Sequence, residues 1–200
     1  MVKAVLFDVG NVIITWHPEN LYRKVIEDAD RRARFLSEVA TSDWHSHHDA
    51  GVPFAENRKI LLALHPEYAE EIHAFDTRFE EMLGDPIPET IAVMEDLHAK
   101  GVPLYALTNM PQEKAEMVFS HSPVFGYFKD IIVSGVEKII KPDPRIYDIA
   151  LQRIGLPAKD IFFTDDSAAN IAMAQDKGFV THLFDDAATL RPALVAAGLL

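Results

Sequence analysis

Five short apolar runs, separated by segments with helical periodicity, constrain the fold of this 200-residue chain more than any other feature. The runs cover residues 3–8, 102–108, 130–134, 160–165 and 179–184. Three of the intervening segments, 88–100, 143–154 and 168–177, repeat apolar residues at helical spacing and are each followed by a glycine. Strands that alternate with helices form a parallel sheet with helices on both faces. The sequence therefore predicts an α/β fold with about five parallel strands.

A long insertion separates the first two runs. It covers about 90 residues with almost no β pattern, which is too long for one crossover helix. Two helical stripes are predicted within it, and pattern interruptions near residues 15–18 and 84–88 mark its ends. The stripes comprise Leu21, Val25, Ala29, Leu36 and Val39, and Tyr68, Ile72, Phe75, Phe79 and Met82. We predict a core domain of residues 1–15 and 86–200 and an inserted helical-bundle cap of residues 16–85 on a hinge.

The composition disfavours several kinds of partner. A formal net charge of −12 disfavours nucleic acid, because binding to a phosphate backbone depends on clustered Lys and Arg. No apolar stretch approaches the roughly 20 residues that span a bilayer, so membrane association is not expected. The chain has no cysteine and no signal-peptide pattern, which excludes thiolate chemistry and leads us to expect a cytoplasmic protein. The oligomeric state is left open.

Polar residues recur at or just after the carboxyl ends of the predicted strands. They are Asp8, Thr108 with Asn109, Lys141, and the pair Asp165 and Asp166. Each has an ordinary explanation when taken alone, such as a helix cap or a surface charge. The carboxyl ends of parallel strands meet in one crevice, however, so the set as a whole predicts a shared site.

The acidic residues of this set are suited to a hard dication. Mg²⁺ prefers oxygen ligands, which Asp8, the Gly10 carbonyl and one or both of Asp165 and Asp166 can supply. Without a cation these carboxylates would raise one another's pKa. We therefore predict a Mg²⁺ site at these residues.

The remaining polar residues of the set are suited to a phosphate group. The Thr108 hydroxyl and the Asn109 amide can donate hydrogen bonds to phosphate oxygens. Lys141 can place a positive charge beside both the phosphate and a carboxylate nucleophile.

Four motifs in this chain resemble those of the haloacid dehalogenase superfamily in order and position. They read Phe7-Asp8-Val9-Gly10-Asn11-Val12, Leu107-Thr108-Asn109, Lys141-Pro142 and Asp165-Asp166-Ser167-Ala168-Ala169-Asn170. The resemblance spans nearly the whole chain. It implies a Rossmann-like sheet with a mobile helical cap, Mg²⁺ dependence, and hydrolysis of a small phosphorylated metabolite through an aspartyl-phosphate on Asp8. The first motif is most similar to the D-x-G-N-[VI] branch, which includes bacterial phosphatases that act on α-glucose 1-phosphate.

Gly10 stands where many enzymes of this class carry a second Asp as general acid and base. Such catalysis is typically worth 10² to 10⁴ in rate, or about 3 to 5 kcal/mol of barrier. One hypothesis is that the leaving group needs little protonation, as in an anomeric sugar phosphate or an acyl phosphate. Another is that His17 or a cap histidine supplies the proton, although we expect His17 to be a surface residue.

A stretch of the insertion, residues 44–51, holds three histidines beside a tryptophan. Our preferred interpretation is that it closes over the crevice, with Trp44 and His48 in contact with the substrate. A solvated helix is the second interpretation. A zinc site is the third, because histidines this crowded are weak evidence for a tetrahedral set of ligands.

Two other functions are compatible with the sequence. A 2-haloacid dehalogenase would use Asp8 as its nucleophile and would need neither a metal nor a second Asp. A non-catalytic protein would keep the pocket and bind phosphate esters without turnover. The adjacent acids Asp165 and Asp166 favour a metal-dependent phosphatase over the dehalogenase.

Overall fold

A computed structural model describes residues 1–200 and places a five-stranded parallel sheet at the centre of the molecule. The strands in chain order are β1 (Ala4–Phe7), β2 (Ile14–Trp16), β3 (Leu83–Pro86), β4 (Leu104–Thr108), β5 (Phe128–Val133), β6 (Ile161–Asp165) and β7 (Val180–Leu183). The sheet has the order β5-β4-β1-β6-β7, and all its neighbouring strands are parallel. The predicted α/β fold and its five parallel strands are confirmed.

The central strands are buried on both faces, which explains why they are continuous apolar runs. Every residue of β1, β4 and β6 is buried. Alternate residues of β1 enter different hydrophobic clusters: Val5 and Phe7 belong to one, and Ala4 and Leu6 to the other. The larger cluster continues into the insertion, so the inserted helices pack on the sheet domain through a shared apolar core.

Six helices accompany the sheet. They are α6 (Pro88–Ala99), α7 (Ala115–Phe119), α8 (Ser134–Glu137), α9 (Pro144–Ile154), α10 (Ala168–Asp176) and α11 (Ala187–Ala196). The three helices predicted in this part of the chain correspond to α6, α9 and α10. Asp143 and Ser167 cap α9 and α10 by accepting a hydrogen bond from a backbone N–H of the first turn, and Gly155 ends α9 in the left-handed conformation. None of the helices is long and apolar enough to cross a membrane.

The insertion contains five α-helices between β2 and β3. They are α1 (Pro18–Val25), α2 (Ala29–Arg34), α3 (Ser42–Asp49), α4 (Phe54–Leu64) and α5 (Ala69–Thr77). The first predicted stripe does not lie on one helix, because Asp28 caps a new helix and Ala29 is exposed. The second stripe is buried at four of its positions and partly buried at Tyr68.

The two ends of the insertion form an antiparallel ribbon that the sequence analysis did not predict. Strand β2 pairs with β3, with Ile14 opposite Pro86 and Trp16 opposite Leu83. The expected boundaries near residues 15/16 and 85/86 fall inside this ribbon, and the division into core and cap domains stays a prediction. The ribbon places Trp16 beside the carboxyl edge of the sheet, where it lines a cavity together with Gly10.

Candidate active site

The polar residues predicted from the strand ends meet at the carboxyl edge of the sheet. Asp8 directly follows β1, while Thr108 and Asp165 are the last residues of β4 and β6. Lys141 lies in the loop between α8 and α9. All four are buried, although they are far apart in the sequence.

Lys141 is the electrostatic centre of this group. Its Nζ lies 2.9 Å from Asp8 Oδ1 and 2.7 Å from Asp165 Oδ2, and it donates a hydrogen bond of 2.8 Å to the Leu107 carbonyl. Three oxygens therefore surround an ammonium group that has three donors. Burial alone would lower the pKa of Lys141, but the charges of Asp165 and Asp8 outweigh it and raise this pKa above its usual range. The lysine is positively charged at neutral pH.

Three carboxylates face one another at the same place. One oxygen from each of Asp8, Asp165 and Asp166 lies within 4.8 Å of the others. Burial raises the pKa of Asp8 most, Lys141 lowers it, and the charge of Asp165 raises it further. With a single lysine beside three acids, the site has an excess of negative charge that a dication would neutralise.

The side chain of Asp8 is held by one oxygen only. Its Oδ1 accepts a hydrogen bond of 2.7 Å from the Val9 N–H and pairs with Lys141. Neither of these contacts involves Oδ2. A carboxylate fixed in this way has one oxygen available to a ligand or an electrophile.

Asp165 is oriented by the start of α10. Its Oδ1 accepts hydrogen bonds from the Ser167 N–H at 2.8 Å and from Asn170 Nδ2 at 2.9 Å. No role for Asn170 was predicted from the sequence. It lies five positions after Asp165, and its amide reaches the Asp165 carboxylate only once the first turn of α10 has formed. Asp166 next to it is exposed, and its Oδ2 accepts a long hydrogen bond of 3.4 Å from Asn11 Nδ2.

The structure shows a contact of Asn109 that the sequence analysis did not predict, and its contact with phosphate stays a prediction. Its Oδ1 accepts a hydrogen bond of 2.8 Å from the Lys141 N–H, and its Nδ2 donates one of 3.0 Å to the Lys141 carbonyl. The amide therefore clamps the main chain of Lys141 and orients its side chain. Thr108, which was expected to contact phosphate, lines the same cavity as Asn109.

A cavity of about 160 Å³ opens beside these residues. Polar groups line one part of it, and apolar side chains from the sheet domain and the insertion line the rest. The lining residues are Val9, Gly10, Asn11, Ile14, Trp16, His45, Asp49, Phe79, Leu83, Thr108, Asn109, Met110, Pro111 and Val118. The cavity thus lies between the strand ends and the inserted helices.

Trp16 and His45 form the aromatic part of the cavity wall. Their rings stack at a centroid distance of 4.8 Å and an interplanar angle of 19°. Asn11 fixes this arrangement because its Oδ1 accepts a hydrogen bond of 3.0 Å from the Trp16 N–H. Burial lowers the pKa of His45 to about 4, so its ring is neutral at pH 7.

Asp49 is an acidic residue of the cavity that the sequence analysis did not identify. It ends α3, is 8% exposed, and its Oδ2 lies 3.6 Å from Nε2 of His45. Its Oδ1 is buried without a hydrogen-bond partner, as are Nδ1 of His45 and Nε1 of Trp16. Buried polar atoms are nearly always paired, so three unpaired ones on neighbouring cavity residues indicate a place where a polar ligand binds.

The profile of a protein family described as haloacid dehalogenase-like hydrolase matches residues 2–178. The chain belongs to this hydrolase family. Its α/β fold also agrees with solved structures. A HAD family enzyme from Bacteroides thetaiotaomicron, solved with magnesium and inorganic phosphate, superposes with a TM-score of 0.70 at 21% identity, covering 92% of this chain and 94% of that one.

Curated relatives of this hydrolase include phosphatases and dehalogenases. The chain is 26% identical to a sesquiterpene phosphatase of Aspergillus oryzae, over 94% of this chain and 92% of the relative. It is also 26% identical to a phosphorylated carbohydrates phosphatase of Thermotoga maritima, over 96% and 91%. An (S)-2-haloacid dehalogenase of Pseudomonas putida is 31% identical, but over only 47% of this chain and 42% of the relative.

Trp44 and His48 do not line the cavity of this hydrolase. Trp44 Nε1 donates to the Asn57 carbonyl at 3.4 Å, and the His48 ring stacks on Phe54 at 4.1 Å inside the insertion. Trp16 and His45 occupy the places that we expected for these two residues. His17 is exposed, as expected, and is likewise absent from the cavity wall.

Proposed function

We propose that this hydrolase is a Mg²⁺-dependent phosphatase that acts on a small phosphorylated metabolite with Asp8 as its nucleophile. The observation that carries the proposal is the environment of Lys141. This lysine is surrounded by Asp8, Asp165 and the Leu107 carbonyl, so its three donors are already engaged. An anionic substrate then needs a second source of positive charge, which a dication at the three carboxylates would provide.

The donor set fits Mg²⁺. Carboxylate oxygens of Asp8, Asp165 and Asp166 lie within 4.8 Å of one another, and the Gly10 carbonyl was predicted as a further ligand. Oxygen donors of this kind are typical of Mg²⁺, which keeps part of its shell for water and phosphate. When bound, the ion supplies positive charge at the phosphoryl oxygens.

Each residue around the phosphoryl group would then have a separate role in the reaction. Asp8 attacks phosphorus with Oδ2 while Lys141 and the Val9 N–H hold Oδ1. The ester P–O bond breaks, the leaving oxygen departs with its electron pair, and an aspartyl-phosphate remains. The Thr108 hydroxyl donates to a phosphoryl oxygen from the cavity wall. Water then attacks phosphorus, the bond to Asp8 breaks, and inorganic phosphate is released.

The cavity favours a small leaving group. A volume of about 160 Å³ is close to that of a benzene-binding cavity, which matches a single six-membered ring. Sugar phosphates, including anomeric ones such as glucose 1-phosphate, remain the first substrate class to test. A relative that is a phosphorylated carbohydrates phosphatase supports this choice.

Phosphate release from short-chain, sugar and acyl phosphates tests the proposal, with and without Mg²⁺ and with Asp8→Asn as the blank. We expect release that depends on both Mg²⁺ and Asp8. Halide release from a 2-haloacid without metal would instead establish the dehalogenase, to which a Pseudomonas putida relative points. Binding of phosphate esters without release of phosphate would establish the non-catalytic protein.

A further inference from the structure

We propose that the Asp49 carboxyl group of the cap is the proton donor and acceptor that takes the place of the side chain missing at Gly10. The inference rests on the proposed phosphatase function. It answers a question that the sequence left open, because neither His17 nor a charged cap histidine lies in position to perform this step.

Asp49 lines the same cavity as Gly10 and Thr108, although it comes from a helix of the insertion. A Cβ placed on Gly10 would meet no atom within 4 Å, so the space beside this glycine is open to a substrate atom or to a side chain from elsewhere. Asp49 is the acidic residue of the cavity wall.

The carboxyl group of Asp49 is poorly supplied with hydrogen-bond donors. Its Oδ1 is buried without a hydrogen-bond partner, and its Oδ2 lies 3.6 Å from Nε2 of the neutral His45 ring. An ionised carboxylate in this place would have lost its solvation without gaining a donor, which is costly. Burial accordingly raises the pKa of Asp49 to about 7, with Lys141 lowering it and Asp8 raising it. A carboxyl group that is protonated close to neutral pH is suited to acid and base steps.

The main chain of Asp49 is anchored to the sheet domain. Ser134 Oγ donates a hydrogen bond of 2.6 Å to the Asp49 carbonyl and accepts one of 2.9 Å from the Met110 N–H. Two residues further on, Gly51 approaches the backbone of Gly135 so closely that a Cβ on Gly51 would lie 2.7 Å from the Gly135 carbonyl oxygen. The end of α3 is therefore held at a defined distance from the strand ends, as a catalytic group requires.

Asp49 gives up its proton in the first half of the reaction and regains one in the second. As Asp8 Oδ2 forms its bond to phosphorus, the ester P–O bond breaks and its electron pair goes to the leaving oxygen. That oxygen takes the proton of the Asp49 carboxyl group and departs as an alcohol. The resulting Asp49 carboxylate accepts a proton from the water that attacks phosphorus, and the P–O bond to Asp8 breaks. Phosphate leaves, and Asp49 is protonated again.

Two phosphates of similar size but different leaving-group acidity provide the test. Ethyl phosphate releases an alcohol that needs a proton, whereas acetyl phosphate releases a carboxylate that does not. We expect Asp49→Asn to lower kcat/KM, which reports formation of the aspartyl-phosphate and not its hydrolysis, by 10² to 10⁴ for ethyl phosphate and by less than about tenfold for acetyl phosphate. Asp43→Asn, an identical substitution at an exposed position of α3, should change neither rate.

A second variant tests the same role by rescue. Because a Cβ on Gly10 would meet no atom within 4 Å, Gly10→Asp can be combined with Asp49→Asn. The double variant should act on ethyl phosphate at least tenfold faster than Asp49→Asn alone. Circular dichroism and the melting temperature establish that each variant is folded.

Two results would overturn the inference. Equal losses with both substrates would show that Asp49 binds or positions the substrate, and unchanged rates would show that it takes no part. Failure of the proposed function has a different signature, since the wild-type protein would then release phosphate from neither substrate, and the inference would fall with it.

Discussion

At the scale of the residue, the site depends on a single buried cation. Lys141 balances Asp8 and Asp165, both of which lie where water provides little solvation. Its main chain is clamped by the side chain of Asn109, so charge and position are specified together. Removing the lysine would leave two buried carboxylates next to each other without compensation.

Lys141→Met should therefore destabilise the protein as well as inactivate it. Breaking a buried ion pair by removing one partner costs about 3 to 5 kcal/mol, which lowers Tm by roughly 10 °C in a chain of this length. Thermal unfolding followed by circular dichroism measures the change. Lys100→Met, at an exposed position, is the control and should leave Tm within about 2 °C of wild type. An unchanged Tm for Lys141→Met would contradict the proposed charge balance.

Asp49 should make stability depend on pH in a definite direction. In the folded protein burial raises its pKa from 3.8 to about 7, so the folded state keeps the proton that the unfolded chain releases near pH 4. The folded state binds more protons between these values, and its stability falls as the pH rises through this window and levels off above it. The groups that share this environment are Asp8, Lys141 and His45.

Asp49→Asn removes this contribution. We expect the variant to resemble wild type in Tm near pH 4 and to exceed it at pH 8, where its advantage in the free energy of unfolding is as much as about 4 kcal/mol. Melting curves at several pH values without added metal measure the difference, with Asp43→Asn as the control. A difference that grows as the pH falls would have the wrong sign for a raised pKa.

At the scale of the element, the sequence of helix α3 contains two candidate pairs of site residues but does not show which pair faces the cavity. Residues four apart lie on one face of a helix, so His45 pairs with Asp49 and Trp44 with His48. The sequence contains both pairs, and we assigned the second to the substrate. The choice between the faces depends on how the end of α3 docks on Ser134, which is 85 positions away from Asp49 and invisible to local periodicity.

Some strands of the protein could be predicted from the sequence and others could not. The five strands of the sheet and the site residues at their ends were predictable, because buried parallel strands are apolar runs and their carboxyl ends converge. Strands β2 and β3 were not, since Ile14–Trp16 is only three residues long and Leu83–Pro86 contains a glycine and a proline. The short ribbon forms through pairing between distant segments, and it carries Trp16 into the cavity.

The contact between the end of α3 and α8 can be tested at Gly51. Gly51→Ala strains a backbone with φ of +89° and also places a Cβ 2.7 Å from the Gly135 carbonyl oxygen. Gly101 has a similar φ of +73° but no atom within 4 Å of such a Cβ, so Gly101→Ala measures the strain alone. We expect about 1 kcal/mol of destabilisation for Gly101→Ala and a further 1 to 3 kcal/mol for Gly51→Ala. Denaturant unfolding measures both, and equal losses would show that the close approach is unimportant.

At the scale of the whole molecule, negative charge governs what the protein can bind. The chain carries a formal charge of −12, and three of its carboxylates meet beside one lysine at the candidate site. This arrangement disfavours an anionic substrate and favours a dication. Binding of the cation is therefore expected to precede or accompany binding of a phosphate ester, and to relieve repulsion that the folded state otherwise carries.

Mg²⁺ should for this reason stabilise the folded protein even without substrate. A ligand that binds only the folded state at 100 times its Kd adds about 2.7 kcal/mol, which corresponds to a rise in Tm of roughly 5 to 10 °C for a chain of this size. Scanning calorimetry with increasing Mg²⁺, and again after chelation, measures the shift. Asp166→Asn should abolish most of this shift, because Asp166 belongs to the carboxylate trio of Asp8, Asp165 and Asp166. Asp30→Asn, at an exposed position of α2, should retain the shift. A shift of equal size in both variants would mean that the cation binds elsewhere on the acidic surface, and the carboxylate trio would then lose its role as the metal site.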